Sequence, residues 1–263
     1  LVPHYISHWV LSSADRFLLE RMMNLSDVGV YNVGYQIGMG MSLIASSGNN
    51  AILPLFGNFD TSNKREVDKV SKIFTYYMAV IVFLGIIISL LGKDLIVIAT
   101  PSEYHAAGNV VPWVVLGYVW MALYYSPTNL LTITEGQSQV VGIATVAGAV
   151  MNIGLNIVFI PVFGMYGAAV TTTVTYLVMF LGVYLIASRS YTIPFESRRL
   201  VKLFIAAIIT FGLGWTAAPE DVVGGILVKI GVLLAFPLIL WGIGFFRRDE
   251  LQFVRQSIQR MQD

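Results

Sequence analysis

The sequence predicts an all-α, polytopic membrane bundle of about eight transmembrane helices, and three observations lead there. Hydrophobic residues make up 56% of the 263 positions and charged residues only 12%, against about 45–50% and about 25% in soluble domains. Apolar runs near the ~20 residues that a spanning helix needs recur at about 3–23, 28–56, 73–91, 110–133, 140–160, 166–187, 201–217 and 222–246. Most of the charges fall in the gaps between these runs, too few to coat a soluble domain of this size. No run alternates apolar and polar residues for the length of a strand, which excludes an outer-membrane barrel. A net charge of +1, with no basic stripe beside stacking aromatics, excludes a nucleic-acid partner. The absence of cysteine excludes disulfides, thiolate metal sites and a cysteine nucleophile.

The first run holds the sequence's sharpest anomaly, "SSADRFLLERM", residues 12–22. At 100° per residue, His4, His8, Ser12 and Asp15 share an arc of about 80°, with Arg16 one step beyond Ser12. Arg16 lies about 20 Å along a helix that starts near Pro3. An arginine at the centre of a membrane helix costs about 2.5–3.5 kcal/mol on insertion scales. Such a stripe must therefore face protein or water rather than acyl chains. Two readings stay open: an ion pair with Glu20 one turn on, or a water-filled cavity in which the Arg16 guanidinium forks onto an anionic substrate. His4 and His8 lack a nearby third ligand, so no metal is expected.

The second run is too long for one perpendicular crossing and ends at Pro54, so it must tilt, kink or extend beyond the bilayer. Within "YNVGYQIGMG", Gly34 and Gly38 form a small-xxx-small contact for close helix packing. Tyr31 with Tyr35, and Asn32 with Gln36, are each one turn apart and serve either as cavity lining for sugar hydroxyls or as interhelical hydrogen-bonding groups. The pairs Asn49 and Asn50, and Asn152 and Asn156, admit the same two readings. In the fourth run Pro127 removes a backbone donor, predicting a kink whose freed groups Ser126, Thr128 and Asn129 re-satisfy. Pro237 does the same in the eighth, where Lys229 is shallow enough to snorkel. In the tail Leu251, Val254, Ile258 and Met261 share a helical face, as for a helix lying on an anionic leaflet.

Orientation follows from lysine and arginine in the short gaps. Lys64, Arg65, Lys69, Lys72, Arg189, Arg198, Arg199, Lys202, Arg247, Arg248, Arg255 and Arg260 fall on one side, against Arg21 and Lys93 on the other. Both ends of the chain are therefore expected in the cytoplasm. The chain opens at Leu1, without a charged leader or a cleavage site, and reads as a fragment of something longer.

Four stretches taken together, "WVLSSADRFLLERMMNLSDVGVYNVGYQI", "EYHAAGNVVPWVVLGYV", "MNIGLNIVFIPVFGMYGAAVTTTVTY" and "SRSYTIPFESRRL", resemble the C-terminal portion of polysaccharide flippases. These are the O-antigen and exopolysaccharide exporters of the MATE-like multidrug/oligosaccharidyl-lipid/polysaccharide superfamily. The family's serine-aspartate-arginine type motif corresponds here to Ala14-Asp15-Arg16, preceded by Ser12 and Ser13.

The resemblance implies that residues 1–190 form the second six-helix lobe of a two-lobe transporter, 191–246 two extra helices and 247–263 an amphipathic cytoplasmic tail, with the first lobe missing. It implies a non-enzymatic function in the inner membrane: flipping a polyprenyl-diphosphate-linked oligosaccharide for cell-surface polysaccharide synthesis. Arg16 with Asp15 would meet the diphosphate, and Tyr31, Asn32, Tyr35 and Gln36 would line the cavity. Expected partners are that lipid-linked substrate, membrane lipids, the missing lobe and polysaccharide polymerase or assembly proteins, with no cofactor. A multidrug or organic-cation antiporter of the same superfamily is the alternative, with Asp15 the only deep acid to carry an exchanged ion. A carrier-lipid enzyme would need paired catalytic groups in a long loop, and the 93–109 gap offers only Asp94, Glu103 and His105.

Overall fold

The computed structural model describes residues 13–57, 59–219, 221–247 and 250. His4, His8 and Ser12 of the polar stripe, and the amphipathic tail, lie outside these residues. The described residues are all-α, with no strand among them. Helix α1 covers 13–22. It is followed by α2 (Leu25–Ile52), α3 (Lys64–Ala99), α4 (Val111–Asn129), α5 (Ser138–Ala187), α6 (Ser197–Thr216) and α7 (Val222–Gly242), with 3-10 turns at Leu53–Phe56 and Ser102–Asn109. Among the described residues five helical segments are long and apolar enough to cross a membrane, namely α3, Ser102–Thr134, α5, α6 and α7. Helix α2 is not among the five. Its asparagines, glutamine, serines and glycines dilute its hydropathy.

The 50 residues of α5 would measure about 75 Å if straight, more than twice a bilayer's hydrocarbon core. Gly164 breaks the segment, with φ 58° and ψ −137°, a backbone that only glycine adopts without strain. A Cβ placed at Gly167 would meet the Phe159 carbonyl oxygen at 2.5 Å, and Asn152 bonds to Thr175. Residues 138–163 and 165–187 are therefore antiparallel arms of a helical hairpin.

Helix α4 continues through Pro127 to Asn129 and then widens into a π-turn at Leu130–Thr134. The Glu135 N–H donates to the Leu130 carbonyl, five residues back, at 3.1 Å. The expected repair of the proline break is not what forms. The Asn129 amide donates to Asn49 of α2 and the Ser126 hydroxyl is buried without a partner. In the π-turn that follows, Thr132 Oγ1 donates to the Thr128 carbonyl.

Two compact units result, Leu1–Glu196 and Ser197–Asp263. In the first, α2, α3, α4 and the α5 hairpin pack around Tyr31, Tyr35, Met41, Met78, Ile81 and Leu90, each at most 1% exposed. Gly38 lets α2 approach α4, since a Cβ there would lie 2.7 Å from Val114 Cβ. Gly34 meets the Ala107 carbonyl oxygen still more closely. In the second unit the buried face of α6 is Arg199, Leu200, Leu203, Ala206, Thr210 and Gly214. That of α7 is Gly225, Lys229, Leu233, Phe236 and Leu240. Lys229 is thus 7% exposed rather than snorkelling outward, because it shares the stripe by which α7 is buried. Arg199 forms a bidentate pair with Glu250, both bonds 3.1 Å, and stacks over Phe245 at 4.6 Å.

Candidate functional site

Helices α1 and α2 bring Asp15, Arg16, Tyr31 and Tyr35 together. Tyr31 and Tyr35 are one turn apart, so both rings project from one side of α2, with centroids 5.7 Å apart. Asp15 is fully buried. Its Oδ2 accepts the Tyr31 hydroxyl at 2.5 Å and its Oδ1 accepts the Arg16 backbone N–H at 2.8 Å. A carboxylate inside a membrane bundle requires such partners, because an unpaired buried charge is strongly destabilising.

Arg16 sits differently. It is half-buried, and its guanidinium carbon stands 4.6 Å from the centroid of the Tyr35 ring, within cation–π range. The Tyr35 hydroxyl pairs with that of Tyr118 on α4 at 3.0 Å, and Tyr176 of α5 lies behind, its ring centroid 6.2 Å from that of Tyr118. The cation is therefore backed by a series of tyrosine rings, Tyr35, Tyr118 and Tyr176, of which the first two are joined through their hydroxyls. Glu20 and Arg21 are exposed at the end of α1, with Arg21 over the Phe17 ring at 5.4 Å.

The four second-rank residues divide. Tyr31 and Tyr35 are interior and hold Asp15 and Arg16, while Asn32 is half-buried and Gln36 exposed. The reason is the helical angle, since each amide follows its tyrosine by 100°. Asn49 and Asn152 form interhelical hydrogen bonds. The former accepts from Asn129 at 2.8 Å, and the latter donates towards Thr172 and Thr175 at 3.5 and 3.3 Å while accepting from Asn156 at 3.0 Å.

Sequence reasoning missed Tyr118 and, on α2 beyond Gln36, Leu43 and Ser47, although it named Asn50. The uncovered side of α2 continues through Leu43, Ser47 and Asn50. That continuation was visible only as a seven-four-three spacing with one apolar member. Among the described residues no three His, Cys, Asp or Glu lie together as a metal set.

These features define a multi-pass membrane bundle that keeps one cation at the edge of its interior, beside a polar helix face. Comparison with known proteins places the fold among transporters. The chain superposes on the lipid II flippase MurJ in an inward closed conformation with a TM-score of 0.65 and 16% identity, over 88% of this chain and 51% of that one. It superposes on an outward-facing multidrug resistance transporter of the MATE family of the MOP superfamily with a TM-score of 0.57 and 17% identity, over 92% and 63%. In sequence it is 21% identical over 179 residues to protein 1 of the Lsg locus of Haemophilus influenzae, covering 64% of this chain and 43% of that protein. No protein-family profile matches the chain. The fold is shared with these two solved proteins, and the chain spans about half the length of the proteins it matches.

Proposed function

We propose that this chain is the second lobe, with two further helices, of an inner-membrane transporter that flips a polyprenyl-diphosphate-linked oligosaccharide during cell-surface polysaccharide synthesis. The observation that carries the reading is Arg16. Its guanidinium carbon stands over the Tyr35 ring, 4.6 Å from the centroid, on a helix whose adjoining face is largely polar and uncovered. Asp15, locked by Tyr31 and by the Arg16 N–H, positions the cation and does not itself reach the open side. A guanidinium so held presents its edge N–H groups to two phosphate oxygens while its face stays on the ring.

The diphosphate would dock at Arg16 and the polyprenol would remain in lipid. Movement of this lobe against the first would alternate access to the site. The chain acts by binding and moving its substrate, with no bond made or broken, and both its ends lie in the cytoplasm. The solved flippase and transporter of like fold support transport over catalysis.

The test is leaflet exchange of a fluorescent polyprenyl-diphosphate oligosaccharide in liposomes holding the full-length protein, read with an impermeant quencher. Exchange that depends on the protein and falls at least about tenfold in a folded Arg16→Ala variant, the loss of about one charge-assisted contact, is expected. Ion-driven uptake of organic cations without any lipid exchange would replace this reading with the antiporter.

A further inference from the structure

Helix α2 carries a second feature that the anion site does not use. Asn32, Gln36, Leu43, Ser47 and Asn50 fall within an arc of about 60° and extend about 27 Å along the axis, close to the ~30 Å of a hydrocarbon core. All five are exposed except the half-buried Asn32. Gly40 lies beside this arc, and a Cβ built there would meet no atom within 4 Å. From Val28 to Phe59 the sequence has no Asp, Glu, Lys, Arg or His. The stripe is therefore open and uncharged for its whole length, and polar except at Leu43, which is 68% exposed.

Three amides and a hydroxyl facing acyl chains would each lose water without a replacement partner. The sites where α2 packs on its neighbours look different, for there Gly34 and Gly38 admit a backbone carbonyl and a valine. The long Gln36 side chain and the protruding Leu43 do not make such a close-packing surface.

Resting on the flippase reading, we propose that this stripe is the binding track for the glycan of the substrate, and that it takes uncharged, hydroxyl-rich sugars. Amides and hydroxyls both donate and accept hydrogen bonds, as sugar hydroxyls do. Arg16 stands over Tyr35, the residue before Gln36 and so near the N-terminal half of the track, and a diphosphate held there would lay the attached sugars along Gln36, Ser47 and Asn50. A uronic-acid residue would find no cation on the stripe and would lose hydration without compensation, which makes neutrality a selectivity device.

These 263 residues hold no cysteine, which suits a direct test in the full-length protein in liposomes, with any cysteine outside them replaced by serine. Gln36→Cys, Ser47→Cys and Asn50→Cys are each exposed to a charged, water-soluble thiol reagent. The probes are a polyprenyl diphosphate with a neutral oligosaccharide, one with a uronic-acid-containing oligosaccharide, and the bare polyprenyl diphosphate. The expected result is labelling at all three positions, slowed several-fold by the neutral glycan lipid and little by the other two. Equal protection by all three lipids, or protection by none, overturns the glycan track. So does failure of all three cysteines to label without lipid, which would mean that another helix covers the stripe. Leaflet exchange measured in the same liposomes separates the two levels. Exchange that needs Arg16, with an unprotected stripe, sinks this inference alone, whereas no exchange sinks the flippase reading beneath it.

Discussion

Helix α2 and the α5 hairpin leave opposite kinds of surface uncovered. Beyond its first turn, where Ser138 and Gln139 are exposed, the hairpin's exposed side chains are mainly apolar, among them Ile143, Val146, Val150, Ile157, Val174, Val178, Leu181 and Leu185. Its threonines and asparagines, Thr145, Asn152, Asn156, Thr171, Thr172, Thr173 and Thr175, are all buried. On α2 the order largely reverses, with Asn32, Gln36, Ser47 and Asn50 joined by a single leucine, Leu43, towards the open side and Val30, Met41 and Ala45 inside. Lipid accepts the first surface and rejects the second. One unit therefore presents two kinds of surface, an apolar one at the hairpin and a largely polar one at α2.

The largest expected effect comes from placing a charge on each face. Val150→Arg, near the middle of the first hairpin arm, should lose about 2.5–3.5 kcal/mol of insertion or folding free energy. Gln36→Arg should lose less than about 1 kcal/mol, as at an ordinary water-facing position. Folded yield and unfolding in mixed micelles measure both, and equal losses would break the contrast.

Next is the pairing that lets a carboxylate sit behind the wet face. Tyr31→Phe removes the hydroxyl that Asp15 accepts and should cost about 1.5–3 kcal/mol, the range for a hydrogen bond to a charged group. Tyr31→Phe combined with Asp15→Asn should recover part of that loss in a double-mutant cycle.

The smallest effect belongs to the buried amides of the hairpin. Asn152→Leu deletes weak bonds to Thr172 and Thr175 and leaves Asn156 without its acceptor. About 0.6 kcal/mol is expected, the average for interhelical hydrogen bonds in a membrane bundle, with about 1.7 kcal/mol as the upper bound. A loss as large as that of Val150→Arg would mean that the hairpin is held by its polar core more than by its fit to lipid.

Much of this architecture was legible in the apolar runs, because a membrane helix declares itself by length and hydropathy alone. The gap between residues 160 and 166 anticipated the hairpin, and Gly164 explains why the chain reverses there within one residue. Helix α3 shows the limit of that signal. It runs from Lys64 to Ala99, well past the apolar stretch 73–91, since helical hydrogen bonding continues into water once Asn63 caps the start.

The site was legible as a set of residue types but not as an arrangement. Periodicity put Tyr31 and Tyr35 on one line and Asn32 and Gln36 on the next. It could not say which line the rest of the bundle covers. That depends on contacts between distant residues, Asp15 with Tyr31 and Tyr35 with Tyr118, which leave no local trace. Lys229 makes the same point from the other side, since an isolated lysine near a helix end reads as snorkelling until its neighbours on the buried stripe are seen.

The central claim is that α2 turns a wet face outward while the α5 hairpin turns a dry one. Single cysteines at Gln36 and Asn50, compared with single cysteines at Val150 and Val178, read it directly through their rates of reaction with a charged thiol reagent in the membrane-embedded, full-length protein. The account predicts rapid modification at the two α2 positions and almost none at the two hairpin positions. Comparable rates at all four, whether fast or slow, would contradict it.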